Sequence, residues 1–438
     1  MSNSLSILKK LAAFSLVLIL PLLSPLNQAH ADESQETMGV SATDIKIGAA
    51  YPQTGGPQLY FYRSFFAGAN SYLDYLNESG GIFGRKIYLL SGDDSGLPAR
   101  SITATNELIL KSRIFALFNS SPTTPAHVAM SSVIRNRNIP DFYPTASYSG
   151  FRSTNKYPNL IAMGSSTKQE ARIAATFSKD FFPDKSFTWR SNISDGDIEI
   201  DIRNAWSDMG FTVKPITSDP NTGTIHLSLQ YPVMSSIQKP LIMSGRLVSH
   251  TSRMVVFDPQ ELNDTYAIFQ IPSVSDKSDE FIKFFEGLNL KYANGAPFDA
   301  AFVEGANSAY VFAQALAATG PAPTRSGLIE AFRTKGKSFS TATYGNLDFG
   351  VGPTAGKATF YVAKFDGKSW SQVGEFYTNE LDSNLVAKGS VLRTKLLPNG
   401  LPIMNAKAFK TSISCVKGKT TKVVSGSNPR CPAGFKKK

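Results

Sequence analysis

The sequence predicts an α/β protein built from parallel sheets flanked by helices. Strand-like runs and amphipathic helical stretches alternate from residue 44 onward. Three strand–helix–strand units fall between residues 44 and 145, a density that implies a parallel sheet covered on both faces. The 438 residues, 42% hydrophobic and 18% charged, leave room for two domains of about 100–200 residues each plus appendages. That balance excludes wholesale disorder and a multispan membrane protein.

The elements follow in order. DIKIGAAYP predicts a strand over 44–52. A helix over 64–79 places Phe65, Phe66, Ala69, Tyr72, Leu73 and Leu76 on one face and stops at Gly80-Gly81. Strands are expected over 86–91, 114–118 and 141–145, with helices over 98–112, opened by Pro98, and 123–138. The alternation continues less cleanly. Strands are expected over 160–164, 186–190, 211–216, 240–244 and 266–271, and helices over 167–182, 196–209, 278–292, 298–318 and 325–334. Over 343–377 the period changes to two, with Asp366-Gly367 as a hairpin turn.

The two ends carry the charge. Lys9 and Lys10 are unopposed in the first 31 residues, and nine Lys and Arg are unopposed in 404–438. Residues 32–403 are balanced at 34 bases and 34 acids, so the body has no basic footprint for nucleic acid. Lys9-Lys10, the short apolar run over 11–23 and the Ala29-His30-Ala31 site predict a signal peptide over 1–31, and hence export to the periplasm or cell envelope. No cysteine lies near the cleavage point, so no lipoprotein anchor is expected. The two cysteines, Cys415 and Cys431, are isolated in the basic tail and are expected to pair. Closing that loop is worth ~3 kcal/mol in the chain-entropy view. The tail reads either as a contact for an anionic envelope polymer or as a solvated appendage.

Catalytic motifs are scarce. His127, His226 and His250 show no metal-ligand spacing, and no nucleophile elbow or Walker loop is present. No cofactor and no enzymatic activity are expected. Asp93-Asp94 follows a strand and reads as a capping pair. Three loops at the carboxyl ends of strands are more informative: 51–63, glycine-containing and rich in aromatics; 119–124 (NSSPTT), directly before a helix; and 144–148 (PTASY). Convergence of such loops on one sheet edge points to a small-molecule cleft.

The segments GVSATDIKIG at 39–48, TGGP at 54–57, YLDYLNESGGIFGRKI at 72–87, FALFNSSPTTPA at 115–126 and NIPDFYPTAS at 138–147 resemble, in content and spacing, the first lobe of type I periplasmic solute-binding proteins of ABC transporters, in their branched-chain amino-acid (Leu/Ile/Val) branch. Residues 296–320 and 343–377 resemble that family's late helix and final strands, and 412–438 resembles basic Cys-containing tails of some secreted bacterial proteins. The resemblance implies two α/β lobes joined by a hinge. Lobe one would comprise 39–148 and 273–337, and lobe two 149–272 and 338–377, shortened near 217–239. A linker over 378–403 and the tail over 404–438 would follow. It implies that the ligand's carboxylate and amino group are held by Ser120, with Ser121 a close second, and by Thr145, Ala146 and Ser147. Phe61, flanked by Tyr60 and Tyr62, would pack on the ligand. In lobe two Asp195 follows a strand where the family has an aromatic, and Arg246 stands where the family carries an acid. A guanidinium there repels an ammonium and receives a carboxylate. The implied partners are a small amino acid or organic acid and a membrane permease. The alternative is an envelope sensor or scaffold that has kept the fold without transport.

Overall fold

Five parallel strands form the first sheet: β1 (Asp44–Tyr51), β2 (Lys86–Asp93), β3 (Ala116–Phe118), β4 (Asp141–Phe142) and β5 (Leu160–Ile161), in the order β2-β1-β3-β4-β5. The computed structural model describes residues 35–54, 59–120, 124–143, 147–183, 186–189, 196–211, 214–215, 224–228, 241–244, 262–350, 356, 358–404, 411–418, 420–426 and 431–437, all within the unit Gln35–Lys438. The expected signal segment lies outside the described residues.

Helices α1 (Leu59–Glu78), α2 (Pro98–Leu110) and α3 (Thr124–Asn136) follow β1, β2 and β3. Helix α1 starts five residues before the expected point. Phe61 with Phe65 and Tyr62 with Phe66 are i,i+4 pairs, their ring centroids 5.6 and 6.1 Å apart. Such pairs support an added helical turn where the sequence reads as an aromatic loop. The helix ends where expected: Gly81, at φ 67°, donates its N–H to Leu76 O at 2.8 Å.

Three later helices are α6 (Glu280–Tyr292), α7 (Ala300–Ala318) and α8 (Arg325–Lys335). They are N-capped by Asp279, Asp299 and Thr324, whose side chains accept first-turn N–H groups. Helix α7 is buried on nearly every face. It crosses α1 closely enough that a Cβ on Gly305 would stand 1.8 Å from Phe65 O. Phe118, Phe142, Phe312 and Phe332 join the sheet, α7 and α8 into one aromatic core.

The second sheet has the order β13-β12-β11-β10-β9-β8-β6-β7. Strands β6 (Ser186–Trp189), β7 (Lys214–Pro215), β8 (Thr224–Ser228), β9 (Leu241–Ser244) and β10 (Tyr266–Phe269) are parallel; β11 (Thr359–Phe365), β12 (Trp370–Thr378) and β13 (Ala387–Gly389) are antiparallel. The expected hairpin turn is present, with Asp366 Oδ1 accepting from the N–H groups of Lys368 and Ser369. Strand β8 lies within the interval 217–239 and pairs with both β6 and β9. Its five residues, TIHLS, alternate Ile and Leu with polar residues over too short a run to stand out in sequence. Helices α4 (Thr167–Phe181) and α5 (Gly196–Ser207) cover this sheet. Trp206 is buried between them and donates Nε1–H to Ala171 O at 2.9 Å. Ser166 and Gln169 form a capping box at the start of α4.

Residues 378–403, expected as a linker, are instead a packed strap. Leu396 N–H donates to Glu280 Oε1 at 2.8 Å and Leu397 N–H to Tyr310 Oη at 3.0 Å. Tyr72 and Tyr75 of α1 donate to Gly400 O and Asn399 O at 3.1 and 2.6 Å. Arg393 pairs with Asp279 and donates to Ala342 O at 3.0 Å. The tail forms a separate sheet, β15-β14-β16, from β14 (Thr411–Lys417), β15 (Thr420–Gly426) and β16 (Lys436–Lys437). The expected Cys415–Cys431 disulfide joins it, with Cα atoms 5.5 Å apart.

Candidate functional site

Because β1, β3 and β4 are adjacent and parallel, their carboxyl ends meet on one edge of the first sheet. The residues that leave β3 and β4 do so in the left-handed region: Asn119 at φ 51° and Tyr143 at φ 55°, both buried. Asn tolerates that conformation. A tyrosine there is an outlier costing of order 1–3 kcal/mol, a strain associated with functional loops. Tyr143 is held by its hydroxyl, which donates to Glu304 Oε1 of α7. The strain re-aims the chain at the start of both loops read as ligand-binding.

Ser120 stands at that edge. It is fully buried, and its Oγ accepts the Ala50 N–H of β1 at 3.4 Å. Its hydroxyl proton remains available to donate. Ser147 is half-buried, and its Oγ lies 2.6 Å from Thr167 Oγ1 at the first turn of α4. Thr124, the first residue of α3, is a contributor the sequence reading did not single out. It is buried, and its Oγ1 has no hydrogen-bond partner among the described residues. The signal was present: Thr at a helix start beside Ser120, among N–H groups that have no intrahelical acceptor.

The aromatics depart from expectation. Phe61 and Tyr62 lie inside the first core because α1 begins early; Tyr62 is stacked 5.5 Å from Tyr51. Of the three, only Tyr60 is exposed, at 44%. Ser121, Thr145, Ala146, Asp195 and Arg246 lie outside the described residues. On the second sheet, Ser244 ends β9 and Gln270 follows the parallel β10, so both occupy that sheet's carboxyl edge. Ser244 Oγ and Gln270 Nε2 are buried without a partner among the described residues. Buried polar atoms left unpaired call for an explanation, and a ligand is one.

Asp93 and Asp94 anchor the edge rather than act on a substrate. Asp93 Oδ1 accepts the Gln53 N–H at 2.8 Å and the Ser95 N–H at 3.0 Å, fixing the chain as it leaves β1. Burial pushes the Asp93 carboxyl up, but hydrogen bonds from the Thr54 hydroxyl and from the N–H groups of Gln53, Ser95 and Thr54 outweigh it and hold the group well below the usual carboxylate range. Asp94 goes the other way. Burial raises it against hydrogen bonds from Gly96 N–H and the Ser101 hydroxyl, and the neighbouring Asp93 charge raises it further. The N-cap of α2 is Leu97, which offers no side-chain acceptor. Asp94 therefore braces the helix start through Ser101 Oγ at 2.9 Å, outside the cap position read from sequence.

A pH dependence follows for Asp93. A depressed carboxyl contributes stability that is fully present above its unfolded pKa of ~3.9 and is lost as pH falls through the folded value. Asp93→Asn is therefore expected to be less stable than the parent at neutral pH. It should also show a shallower fall in melting temperature on acidification from about pH 5 to about pH 2. Superimposable acid limbs would contradict the assignment.

Fold and edge define a two-lobed α/β protein with polar groups gathered at the carboxyl ends of parallel strands. The model of the periplasmic binding protein family matches residues 44–223. The Leu/Ile/Val-binding protein BraC3 of Rhizobium johnstonii is 28% identical over 142 residues, 32% of this chain and 38% of that protein. The alignment thus spans well under half of this curated relative. A substrate-binding periplasmic protein from Ralstonia solanacearum superposes with a TM-score of 0.65 at 17% identity, covering 75% of this chain and all of that one. A solute-binding protein of an ABC transporter from R. palustris, in complex with benzoate, gives 0.59 at 15% identity, covering 76% and 96%. The chain thus has the fold of the type I periplasmic binding proteins, and its residues 44–223 are similar in sequence to that family.

Proposed function

We propose that the chain is an exported, non-catalytic solute-binding protein of an ABC transporter. It captures a small amino acid or related carboxylate between its lobes and presents it to a membrane permease. The observation that carries this reading is the edge where β1, β3 and β4 end, with Ser120, Thr124 and Ser147 at the N-termini of α3 and α4. Hydroxyls and free amides there suit a carboxylate. The relative's Leu/Ile/Val-binding name supports the ligand class. The benzoate complex supports a wider one, because benzoate has a carboxylate and no ammonium.

Arg246 favours the acid side of that class. By the resemblance Arg246 stands where the family carries an acid, and a guanidinium in that role suits a solute with a second carboxylate or with no ammonium. The test is a thermal-shift panel of leucine and valine against benzoate, keto acids and dicarboxylates. A ligand at 100 times its dissociation constant stabilises by about 2.7 kcal/mol, a readable shift. An acid is expected to raise the melting temperature more than leucine or valine. Shifts with leucine or valine and none with any acid would overturn the role given to Arg246 and leave amino-acid capture standing. Absence of a shift with every member would count against solute capture itself.

A further inference from the structure

A groove runs along one face of α3 and meets the strand-end loops at Tyr148, the last residue of the loop after β4. It encloses about 330 Å³, inside the ~300–1,000 Å³ range of small-molecule pockets. His127, Ser131, Ile134 and Arg135 line it from α3, and their spacing sets them along one side of the helix. At 1.5 Å per residue the line from His127 to Arg135 is ~12 Å long. The facing wall comes from the connection between β4 and β5, through Tyr148, Lys156, Tyr157 and Pro158.

Its polar groups are unevenly distributed. His127 and Asp141 are each 1% exposed, and Nε2 of the ring stands 3.1 Å from Asp141 Oδ2. The other two polar atoms of this pair, His127 Nδ1 and Asp141 Oδ1, have no partner among the described residues. The imidazole ring is fixed edge-on against Phe151 at 4.6 Å. An unpaired carboxylate oxygen only accepts, so an occupant has to bring a donor to it. Arg135 and Lys156, by contrast, are exposed, as is Asp197 of α5, so the exposed charges number two positive against one negative. Lys156 Nζ lies 5.4 Å from the centroid of the Tyr157 ring, at the mouth. Val128, Ile134 and Leu160 add apolar surface to the lining, with Ser131 and Asn159 as neutral polar residues among them.

A simple cation is drawn to the floor but repelled at the mouth. A simple anion meets the reverse. A molecule with both charges satisfies both ends, provided they are far enough apart. The two charges of an α-amino acid sit on neighbouring atoms, too close for a floor and a mouth set along ~12 Å of helix. An extended peptide advances ~3.3–3.6 Å per residue, so two or three residues match. The geometry points to a second ligand site for a di- or tripeptide-sized zwitterion. Its N-terminal ammonium donates to Asp141 Oδ1 and His127 Nδ1, its carboxylate meets Arg135 and Lys156, and an apolar side chain lies on Ile134 and Leu160. This site is separate from the proposed interlobe cleft.

The test is calorimetry on the full mature chain with the dipeptide Leu-Ala, its N-acetyl form, its C-terminal amide and free leucine. Leu-Ala is expected to bind, and each blocked form to bind at least tenfold more weakly. Ser131→Trp fills the groove from a half-buried position and is expected to abolish Leu-Ala binding. Asp141→Asn is expected to weaken it at least tenfold. The pair Ser120→Ala with Ser147→Ala, in the other site, is expected to leave it unchanged. Equal binding of acetylated peptide, unaltered affinity in Ser131→Trp, or no binding of Leu-Ala at all would overturn the proposal. So would loss in the serine pair with retention in Ser131→Trp, which would place the peptide in the interlobe cleft. Because the two sites are altered separately, failure here leaves the solute-capture reading intact, and the converse holds.

Discussion

Gly305→Val is expected to unfold the first lobe. A Cβ at Gly305 would lie 1.8 Å from Phe65 O, and one at Gly68 2.0 Å from Phe302 O. Both opposing atoms are backbone, so no rotamer change relieves either clash. Helices α1 and α7 would have to part by more than an ångström along a face that buries Phe65, Ala69 and Tyr72. Overpacking alone costs about 1–3 kcal/mol, and the voids opened beside the new side chain add about 24 cal/mol per Å³. Together these approach the 5–15 kcal/mol that holds a typical domain folded. Gly305→Ala should lose stability by several kcal/mol even though alanine is intrinsically better in a helix by about 1 kcal/mol. Gly287 supplies the control. It lies in α6, exposed, with nothing within 4 Å of a built Cβ, so Gly287→Ala should stabilise by about 0.5–1 kcal/mol. Denaturant unfolding of the three variants separates the effects. A Gly305→Ala protein as stable as the parent would show that the crossing is looser than described.

That crossing marks how far the sequence could be read. The length and composition of α7 announce a buried helix, and the strand–helix alternation announces the first sheet, because both signals are local and periodic. Nothing local says that Gly68 and Gly305, more than two hundred residues apart, meet. The strap over 378–403 was hidden for the same reason. Its attachments are backbone groups bonding to Glu280, Tyr72, Tyr75 and Tyr310, which leave no periodic trace, so the stretch reads as a connector. The aromatic cluster at 60–62 was legible as important and misread in kind. Rings at i,i+4 spacing extend a helix into the core as readily as they line a loop. At the edge itself the strand ends and Ser120 were readable from loop position. Thr124 became distinguishable only once its hydroxyl was seen to be buried without a partner among the described residues. The groove beside α3 had no sequence signal, because His127 and Asp141 meet only through tertiary packing.

Removing the hydroxyls of Ser120 and Ser147 together is expected to weaken binding of the cleft solute by several kcal/mol. Hydrogen bonds to a charged group are worth about 1.5–3 kcal/mol each, and about 1.4 kcal/mol is tenfold in affinity, so the pair represents roughly two to four orders of magnitude. Ser120 also has a structural duty, which the experiment has to separate from binding. Its Oγ is the acceptor for the buried Ala50 N–H, and stranding that amide costs about 1–3 kcal/mol of stability. Ser120→Ala alone should therefore lower the melting temperature of the ligand-free protein as well as the affinity. Ser120→Thr, which keeps the hydroxyl, should restore stability and part of the binding. Ser147 makes its contact with Thr167 Oγ1 at 2.6 Å, and Thr167→Val removes that partner while leaving the Ser147 hydroxyl in place. If Ser147 donates to the ligand, Thr167→Val keeps most of the affinity and Ser147→Ala does not. Calorimetry with whichever acid or amino acid raises the melting temperature most provides the readout. Full affinity in the double alanine variant, alongside the expected loss of stability, would reduce both serines to loop anchors and move the carboxylate elsewhere. The Thr124 hydroxyl at the start of α3, unpaired among the described residues, would then be the next candidate to hold it.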